Sequence, residues 1–516
     1  MQSDAARVRL RTAYIGIRFR SSPVRRKTPS RELRDCQLGK VRAFIHLTVL
    51  WGYYQALQDG FMIRYDGFSD LVDRMASGSP EQPALLSYGD DGEVRITTWS
   101  DLASCVLART DELKSQGFLC EAILADGTLE CVVEVFAAVR AGLQVALIDP
   151  FIPDQMAAPL LRIVDADCVW ASSSMRQEKI QRSLSPDSKP AYGEHAVLFF
   201  TSGTTSSSKA VVLTDRSLMS SAFNGSSLLP LSPDDTLLCL LPLSHVFGFV
   251  CGLLWGLSCG ATVALGRGPR YYVDDFAVFN PTTVSVVPKL LEFLVAHDSL
   301  NEGLQLVLVG AADCPDELLD ALRHRGIRAS LGYGLTETSS GLALSLGDDF
   351  HAMTVCPEVH ISIAEDGEVL ANAPTCLMQG YYRDPGQTSQ AVCEGVLHTG
   401  DLGILDEKGL LHVSGRKKDV ITLPNGTKVF LPDYESALAR VLAERDICVV
   451  VHEGKLTLVC GKLSTERTDE QIMQAIEPVM ACYPHGSRIA SIARLERKLD
   501  RTPTGDIERW KILEAL

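Results

Sequence analysis

Several things are missing from this chain of 516 residues. No apolar run approaches the ~18–20 residues that a membrane-spanning helix needs. There is no C-x-x-C pair and no H-E-x-x-H among the 11 histidines, so the common zinc signatures are absent. The 15 cysteines are scattered from Cys36 to Cys482, often inside apolar runs, as at Cys239 and Cys251. That distribution fits buried thiols in a reducing cytoplasm and excludes a disulfide framework. Positive charge is also short. Lys and Arg total 49 against 64 Asp and Glu, a net charge of −15, so nothing in the overall balance suggests nucleic-acid binding. The composition, 46% hydrophobic and 22% charged, is that of a globular protein long enough for several domains.

What is present centres on residues 198–213, LFFTSGTTSSSKAVVL. Apolar runs at 196–200 and 210–213 predict two buried strands. Between them stand Thr201, Ser202, Gly203, Thr204, Thr205, three serines and then Lys209. Hydroxyls, backbone N–H groups free of bulky side chains and one cation together suit a polyphosphate. The Walker pattern fails here on three counts. No second glycine follows Gly203, Ala210 follows Lys209, and a strand rather than a helix comes next. On its residues alone, the loop reads equally well as a Ser/Thr-rich hairpin with a solvated lysine.

Residues 1–61 differ from the rest. Basic residues from Arg7 to Arg34 outnumber Asp4, Glu32 and Asp35, and an apolar patch follows at 44–57. A transit peptide or a basic membrane-surface arm has this composition. The preferred reading is an upstream extension, with Met62 as the functional start. From 67 to 190 helices and strands alternate. The pattern predicts a helix at 68–75, strands at 95–98, 121–124 and 145–148, and a helix at 130–140 stopped by Gly142. Ser100 is taken as the N-cap of a helix opening near Trp99. Strand–helix–strand order with short connections implies a parallel sheet. Strands at 237–241, 261–264, 283–287 and 305–309 continue it, with helical sequence from 248 to 257 and at 290–296.

Three further motifs carry chemistry. In Gly332-Tyr333-Gly334-Leu335-Thr336-Glu337 two glycines admit backbone close to a planar ligand, and Tyr333 can stack on it. Thr336 and Glu337 supply oxygens for a Mg²⁺ that is otherwise held by phosphates. In Leu397-His398-Thr399-Gly400-Asp401-Leu402-Gly403 a carboxylate beside glycines suits two ribose hydroxyls, or is a turn acid after a strand. In the segment GRKKDVI, residues 415–421, Arg416 is placed to touch ribose or phosphate, and Pro424-Asn425-Gly426 signals a hairpin. His245 is ambiguous by itself.

These motifs, in this order and with Met378-Gln379-Gly380-Tyr381-Tyr382-Arg383-Asp384-Pro385 between the second and third, resemble the adenylate-forming (AMP-binding) enzymes from Met62 to the C-terminus. The stretch GRKKDVITLPNG is most similar to bacterial long-chain fatty-acid–CoA ligases. The resemblance implies an α/β protein with a large multi-sheet AMP-binding region, 62–416, and a small α+β domain, 418–516, hinged at Lys418. It implies activation of a fatty or other carboxylic acid with ATP and Mg²⁺, then transfer to CoA. Two alternatives stay open: transfer to the pantetheine arm of an acyl carrier protein, or a silent member that only binds acyl or nucleotide ligands. A cytoplasmic enzyme is expected, with no nucleic-acid partner and peripheral membrane contact left open. In the resemblance Lys209, Thr336 and the loop hold phosphates, Glu337 the Mg²⁺, and Asp401 and Arg416 the nucleoside. Gly310, Ala311, Ala312 and Gly332 line the acyl and adenine pocket, and His245 lies beside the acyl and thiol sites.

Two departures stand against the family pattern. Ser206 and Ser208 replace the usual Gly and Pro, and Asp506 replaces the lysine that bridges substrate and ATP during adenylation. A carboxylate there repels polyphosphate. Asp506→Lys is therefore expected to raise ATP–pyrophosphate exchange by ~10²-fold, the scale of one preorganised donor. Conversion of supplied acyl-adenylate and CoA should change little. Rapid exchange in the wild type, unaltered by the substitution, would hand the role to Lys498 or Lys511.

Overall fold

The two apolar runs around the Ser/Thr loop pair with each other. In the structure, a computed structural model, strands Ala196–Thr201 and Lys209–Thr214 run antiparallel with Thr201 opposite Lys209. The structure describes residues 64–89, 91–172, 192, 195–201, 209–422, 428–462, 467–483, 487–501 and 507–516. The expectations for residues 1–61, for Ser202, Gly203, Thr204 and Thr205, for Asn425-Gly426 and for Asp506 lie outside them. The strands flanking Asn425-Gly426, Val420–Thr422 and Lys428–Phe430, do pair antiparallel.

The hairpin forms one side of a six-stranded sheet. Ala196–Thr201 lies parallel to Gln144–Ile148, which lies parallel to Cys120–Leu124. The latter two strands are buried at every position, as their unbroken apolar runs require of a sheet covered on both faces. Helix Leu129–Ala141 connects them. Thr128 caps its start by accepting from the Cys131 N–H, and Gly142 ends it at φ 89°, where a side chain is disfavoured.

A second sheet of fourteen strands has a parallel centre and an antiparallel wing. The centre includes Thr236–Cys239, Thr283–Val286, Leu306–Val309 and Arg328–Tyr333. The wing includes Val396–Leu405 paired with Leu411–Arg416. Phe68, Phe136, Phe199 and Phe249 meet with ring centroids 5.0–5.7 Å apart, which binds elements of both sheets into one core. Residues 429–512 carry hydrophobic clusters of their own around Tyr434, Leu458 and Ile512. Their three-stranded sheet, Ile447–His452, Lys455–Cys460 and Ser491–Arg494, is accompanied by helices Leu431–Leu442 and Asp469–Ala481. This matches the α/β fold with a smaller α+β C-terminal part.

Some expectations are corrected. The helix Trp99–Gln116 is capped by Thr98, not Ser100. Thr98 accepts from the Asp101 N–H, and the Asp101 carboxylate accepts in return from the Thr98 N–H. Burial of Trp99 in the first turn moves the cap, and with it the start of the helix, two residues back from the serine reading. The segment after His245 is not one α-helix. It runs as helix Val246–Phe249, a π-helical turn Val250–Leu254 and helix Trp255–Ser258. The strand expected at 237–241 stops at Cys239. The fourteen cysteines among the described residues are all free. No helix among the described residues is long and apolar enough to cross a membrane.

In the six-stranded sheet, Glu121 is buried near Glu134, whose carboxylate is held by Arg109 through Nε at 2.6 Å and Nη2 at 2.8 Å. Burial first, and the Glu134 charge second, raise the Glu121 pKa well above its ordinary value of 4.5. A raised folded value means that the folded state holds the proton longer than the unfolded one. Its stabilising contribution is therefore complete below that ordinary value and is lost as pH rises through the folded one. Glu121→Gln keeps the neutral form at every pH and should flatten the alkaline fall in melting temperature. Parallel curves for wild type and variant between about pH 5 and 9 would refute this.

Candidate active site

Lys209 begins its strand directly after the Ser/Thr loop. The far edge of that strand is covered by the short strand Gly380–Tyr381, which places Tyr381 opposite Val211. Residues two apart on a strand share a face, so Lys209 and Tyr381 meet diagonally. The Lys209 Nζ stands 4.6 Å from the centroid of the Tyr381 ring, a cation–π contact worth about 0.5–2 kcal/mol. The Tyr381 hydroxyl donates to Glu337 Oε1 at 2.8 Å. Burial, then the Glu337 charge, raises its pKa, so it remains a donor. The Glu337 main chain is fixed as well, its carbonyl accepting from the Met378 N–H at 2.8 Å. Thr336 opens the same 3₁₀ turn, Thr336–Thr338.

The second group lies where strand Arg328–Tyr333 ends. The Tyr333 hydroxyl donates to Asp401 Oδ2 at 2.7 Å. Asp401 is a cross-strand neighbour of Arg416, whose Nε lies 2.9 Å from Asp401 Oδ1. Asp401 is thus a strand residue inside Val396–Leu405, not a turn acid. The antiparallel partner is what turns a polar motif into a buried, doubly held carboxylate. Burial raises the Asp401 pKa. Arg416 opposes this most strongly, Glu337 adds to the rise, and Lys418 opposes it. Asp401, Arg416, Glu337 and Lys418 therefore share one electrostatic neighbourhood.

Lys418 sits in the 3₁₀ turn Lys417–Asp419. On one side Lys417 Nζ binds Asp366 at 2.6 Å and Glu368 at 2.9 Å. On the other, Asp419 binds Arg509 at 2.9 Å, and Arg509 also binds Glu435 at 2.7 Å.

Gly310 ends strand Leu306–Val309. A side chain there would meet the Phe247 ring at 2.9 Å and the Gly332 carbonyl oxygen at 3.4 Å. Two main chains therefore run side by side with no side chain between them, a slot suited to a planar group. Ala311 follows at φ 67°, a left-handed conformation that non-glycine residues adopt at a cost, and Ala312 is exposed. Gly334 is obligatory, because a Cβ there would lie 1.4 Å from the Ser340 carbonyl oxygen. His245 precedes the helix that carries Phe247. Burial lowers its pKa, opposed by the Asp149 charge, so the neutral ring is favoured.

The structure thus brings Lys209, Thr336, Glu337, Tyr333, Asp401, Arg416 and Lys418 into one region, and joins His245 to Gly310 through Phe247. Tyr381 was missed as a site residue. Its signal was the M-Q-G-Y-Y-R-D-P motif, but its partner Lys209 is remote in sequence. This donor set fits Mg²⁺–ATP. Lys209 offers a cation for phosphate, half-buried Glu337 a carboxylate for Mg²⁺, and Asp401 retains acceptor capacity for ribose hydroxyls beside the glycine slot.

The model of the AMP-binding enzyme family matches residues 72–382, more than half of the chain. The chain belongs to the AMP-binding enzyme family. Its enzyme class is that of the AMP-forming acid–thiol ligases, which use ATP, Mg²⁺ and CoA. It is similar to a 2-succinylbenzoate–CoA ligase of Bacillus cereus (strain AH820), with 29% identity over 336 residues, 60% of this chain and 68% of that protein. To 4-coumarate–CoA ligase 3 of Arabidopsis thaliana it is 30% identical over 352 residues, 61% and 62% of the two chains. In fold it resembles O-succinylbenzoate Coenzyme A synthetase from Bacillus subtilis in complex with ATP and magnesium ion, with a TM-score of 0.73 at 21% identity over 86% and 98% of the chains. Neither sequence relative is a long-chain fatty-acid ligase, so the subgroup expected from GRKKDVITLPNG widens to the family.

Asp401→Asn is expected to weaken ATP binding ~10–100-fold by calorimetry, the loss of about 1.5–3 kcal/mol carried by hydrogen bonds to a charge. Gly334→Ala should lower both melting temperature and ATP affinity, since main chain offers the new methyl group no room. Unchanged affinity in both variants would dismantle the nucleotide site.

Proposed function

We propose that this chain converts an aromatic carboxylic acid to its CoA thioester in two half-reactions. In the first, the acid's carboxylate oxygen attacks the α-phosphorus of ATP, the α–β phosphoanhydride breaks, and pyrophosphate leaves with the displaced electron pair. In the second, the CoA thiol gives up its proton to solvent, its sulfur attacks the acyl carbonyl, the acyl–phosphate bond breaks, and AMP leaves with the displaced electron pair. The observation that carries this reading is the joining of Lys209, Tyr381 and Glu337 beside Asp401 and Arg416.

Each residue has a part. Lys209, steadied over the Tyr381 ring, binds the phosphates, aided by Thr336 and the hydroxyls and N–H groups of Thr201, Ser202, Gly203, Thr204 and Thr205. Tyr381 orients Glu337 toward Mg²⁺, which when bound neutralises phosphate charge. Asp401, oriented by Tyr333 and Arg416, accepts from the ribose. Gly310, Ala311, Ala312, Gly332 and Gly334 leave room for the base and for the acid. Neutral His245 stands where the acid meets the thiol. The small domain turns about Lys418, because Lys417 is anchored to Asp366 and Glu368 while Asp419 is anchored to Arg509. Support for an aromatic substrate comes from the relatives, whose names carry 2-succinylbenzoate and 4-coumarate.

ATP–pyrophosphate exchange with matched panels of substituted benzoates, cinnamates and long-chain fatty acids tests the reading. Exchange with the aromatic acids, followed by their CoA thioesters on adding CoA, is expected. Exchange confined to the long-chain acids would replace the substrate class. ATP binding without exchange for any acid would reduce the chain to a nucleotide-binding member.

A further inference from the structure

Behind the glycine slot lies a cavity of about 30 Å³. Helix Asp215–Leu228 forms one wall, and the π-helical turn Val250–Leu254 with Trp255 forms another. Leu308 and Leu344 complete it on the side of the site. A side chain at Gly332 would touch Leu308 Cδ1 at 3.4 Å and Leu344 Cδ2 at 3.5 Å. The ends of two leucine side chains therefore form the partition between the Gly332 main chain and the cavity. Such ends rotate readily, whereas the helices behind them do not.

The chemistry of the walls is uniform. No cation lines the cavity among the described residues. The Trp255 Nε1–H is spent on the Leu229 carbonyl at 3.0 Å. The Ser221 hydroxyl oxygen accepts from the Gly341 N–H at 3.2 Å. An ionised group placed here would lose its water and gain no counter-charge. The π-turn matters because its extra residue per turn brings Val250 and Trp255, five residues apart, to the same cavity, and such turns recur at functional sites.

Gly225 is the opening in the opposite wall. It lies mid-helix, and a Cβ built on it meets nothing within 4 Å. A glycine inside a helix costs stability relative to alanine. Here the missing side chain leaves the cavity its depth.

We propose that this cavity is the far end of the acyl pocket, that it takes the uncharged apolar end of a monocarboxylate, and that Gly225 sets how long that end can be. This rests on the ligase reading above. A volume of about one water's share of the liquid admits a methyl-sized group before the leucines must move. The preferred acid is accordingly a ring with a short apolar substituent. A second carboxylate, such as the one on 2-succinylbenzoate, is excluded by the want of a cation.

The test is calorimetry of the full chain with 5′-O-(N-aroylsulfamoyl)adenosines, stable mimics of the acyl-adenylate. The para substituent on the benzoyl ring is varied through hydrogen, methyl, ethyl, butyl and carboxylate. For the wild type the methyl or ethyl compound should bind most tightly, the butyl compound more weakly, and the carboxylate compound ~100-fold more weakly than the methyl. Gly225→Leu fills the cavity and should cut the ratio of methyl to hydrogen affinity by ~10-fold. Gly225→Ala, which suits the helix, should cut the same ratio by less, and it serves if the leucine variant does not fold. ATP affinity reports that each variant retains its nucleotide site. Equal affinity for the carboxylate and methyl compounds, or unchanged ratios in both Gly225 variants, would overturn the pocket assignment and leave the ligase reading intact. If ATP binds but no aroyl compound does, the ligase reading falls and takes this inference with it.

Discussion

Strand Lys209–Thr214 is paired on both edges, by Ala196–Thr201 on one side and by Gly380–Tyr381 on the other. The rest of the site depends on this double pairing. The first pairing sets Lys209 opposite Thr201 at the end of the hairpin. The second carries a tyrosine from a distant part of the chain under the lysine, and that tyrosine reaches Glu337. Without the second pairing Lys209 would be a solvated side chain on the edge of a sheet. With it the cation is steadied on a ring and faces a carboxylate that sits on the other side of the same ring's hydroxyl.

The electrostatics follow from burial. Asp401 is an acid inside the protein, which by itself favours the neutral form. Arg416 beside it and the Tyr333 hydroxyl upon it favour the charge. Lys418 opposes the rise in the same way. A residue proposed as the pivot of the small domain thus also contributes to the charge state of Asp401, the acid proposed to bind ribose. Movement about it would change both geometry and charge at the nucleotide, a coupling that needs no contact beyond those described.

The apolar cavity and the charged site sit back to back, separated by the strands that carry Gly310 and Gly332. Parallel strands ending at one edge expose main chain there and bury side chains behind it. The same arrangement provides the polar slot proposed for the nucleotide and the dry recess proposed for a substrate tail. Recess size depends on single atoms, since interiors are close-packed and a missing side chain such as that of Gly225 leaves its full volume empty.

Much of this was written locally. Periodicity placed the hairpin strands, the parallel strands at 121–124 and 145–148 and the helix stopped by Gly142 within a residue or so, because turn chemistry and apolar runs act between near neighbours. The order of motifs was enough to name the family. The sequence by itself also determined Gly334, although its reason, the Ser340 carbonyl, lies outside its hexapeptide. Tertiary structure alone decided the rest. Tyr381 meets Lys209 across 171 intervening positions through a two-residue strand too short to leave a periodic signal. Between a buried acid and a turn acid, the register with Arg416 decides for a buried strand acid at Asp401. The helix after His245 opens into a π-turn. Cross-strand register and the fit of one wall against another depend on residues far apart in the chain, and no pattern of neighbours encodes them.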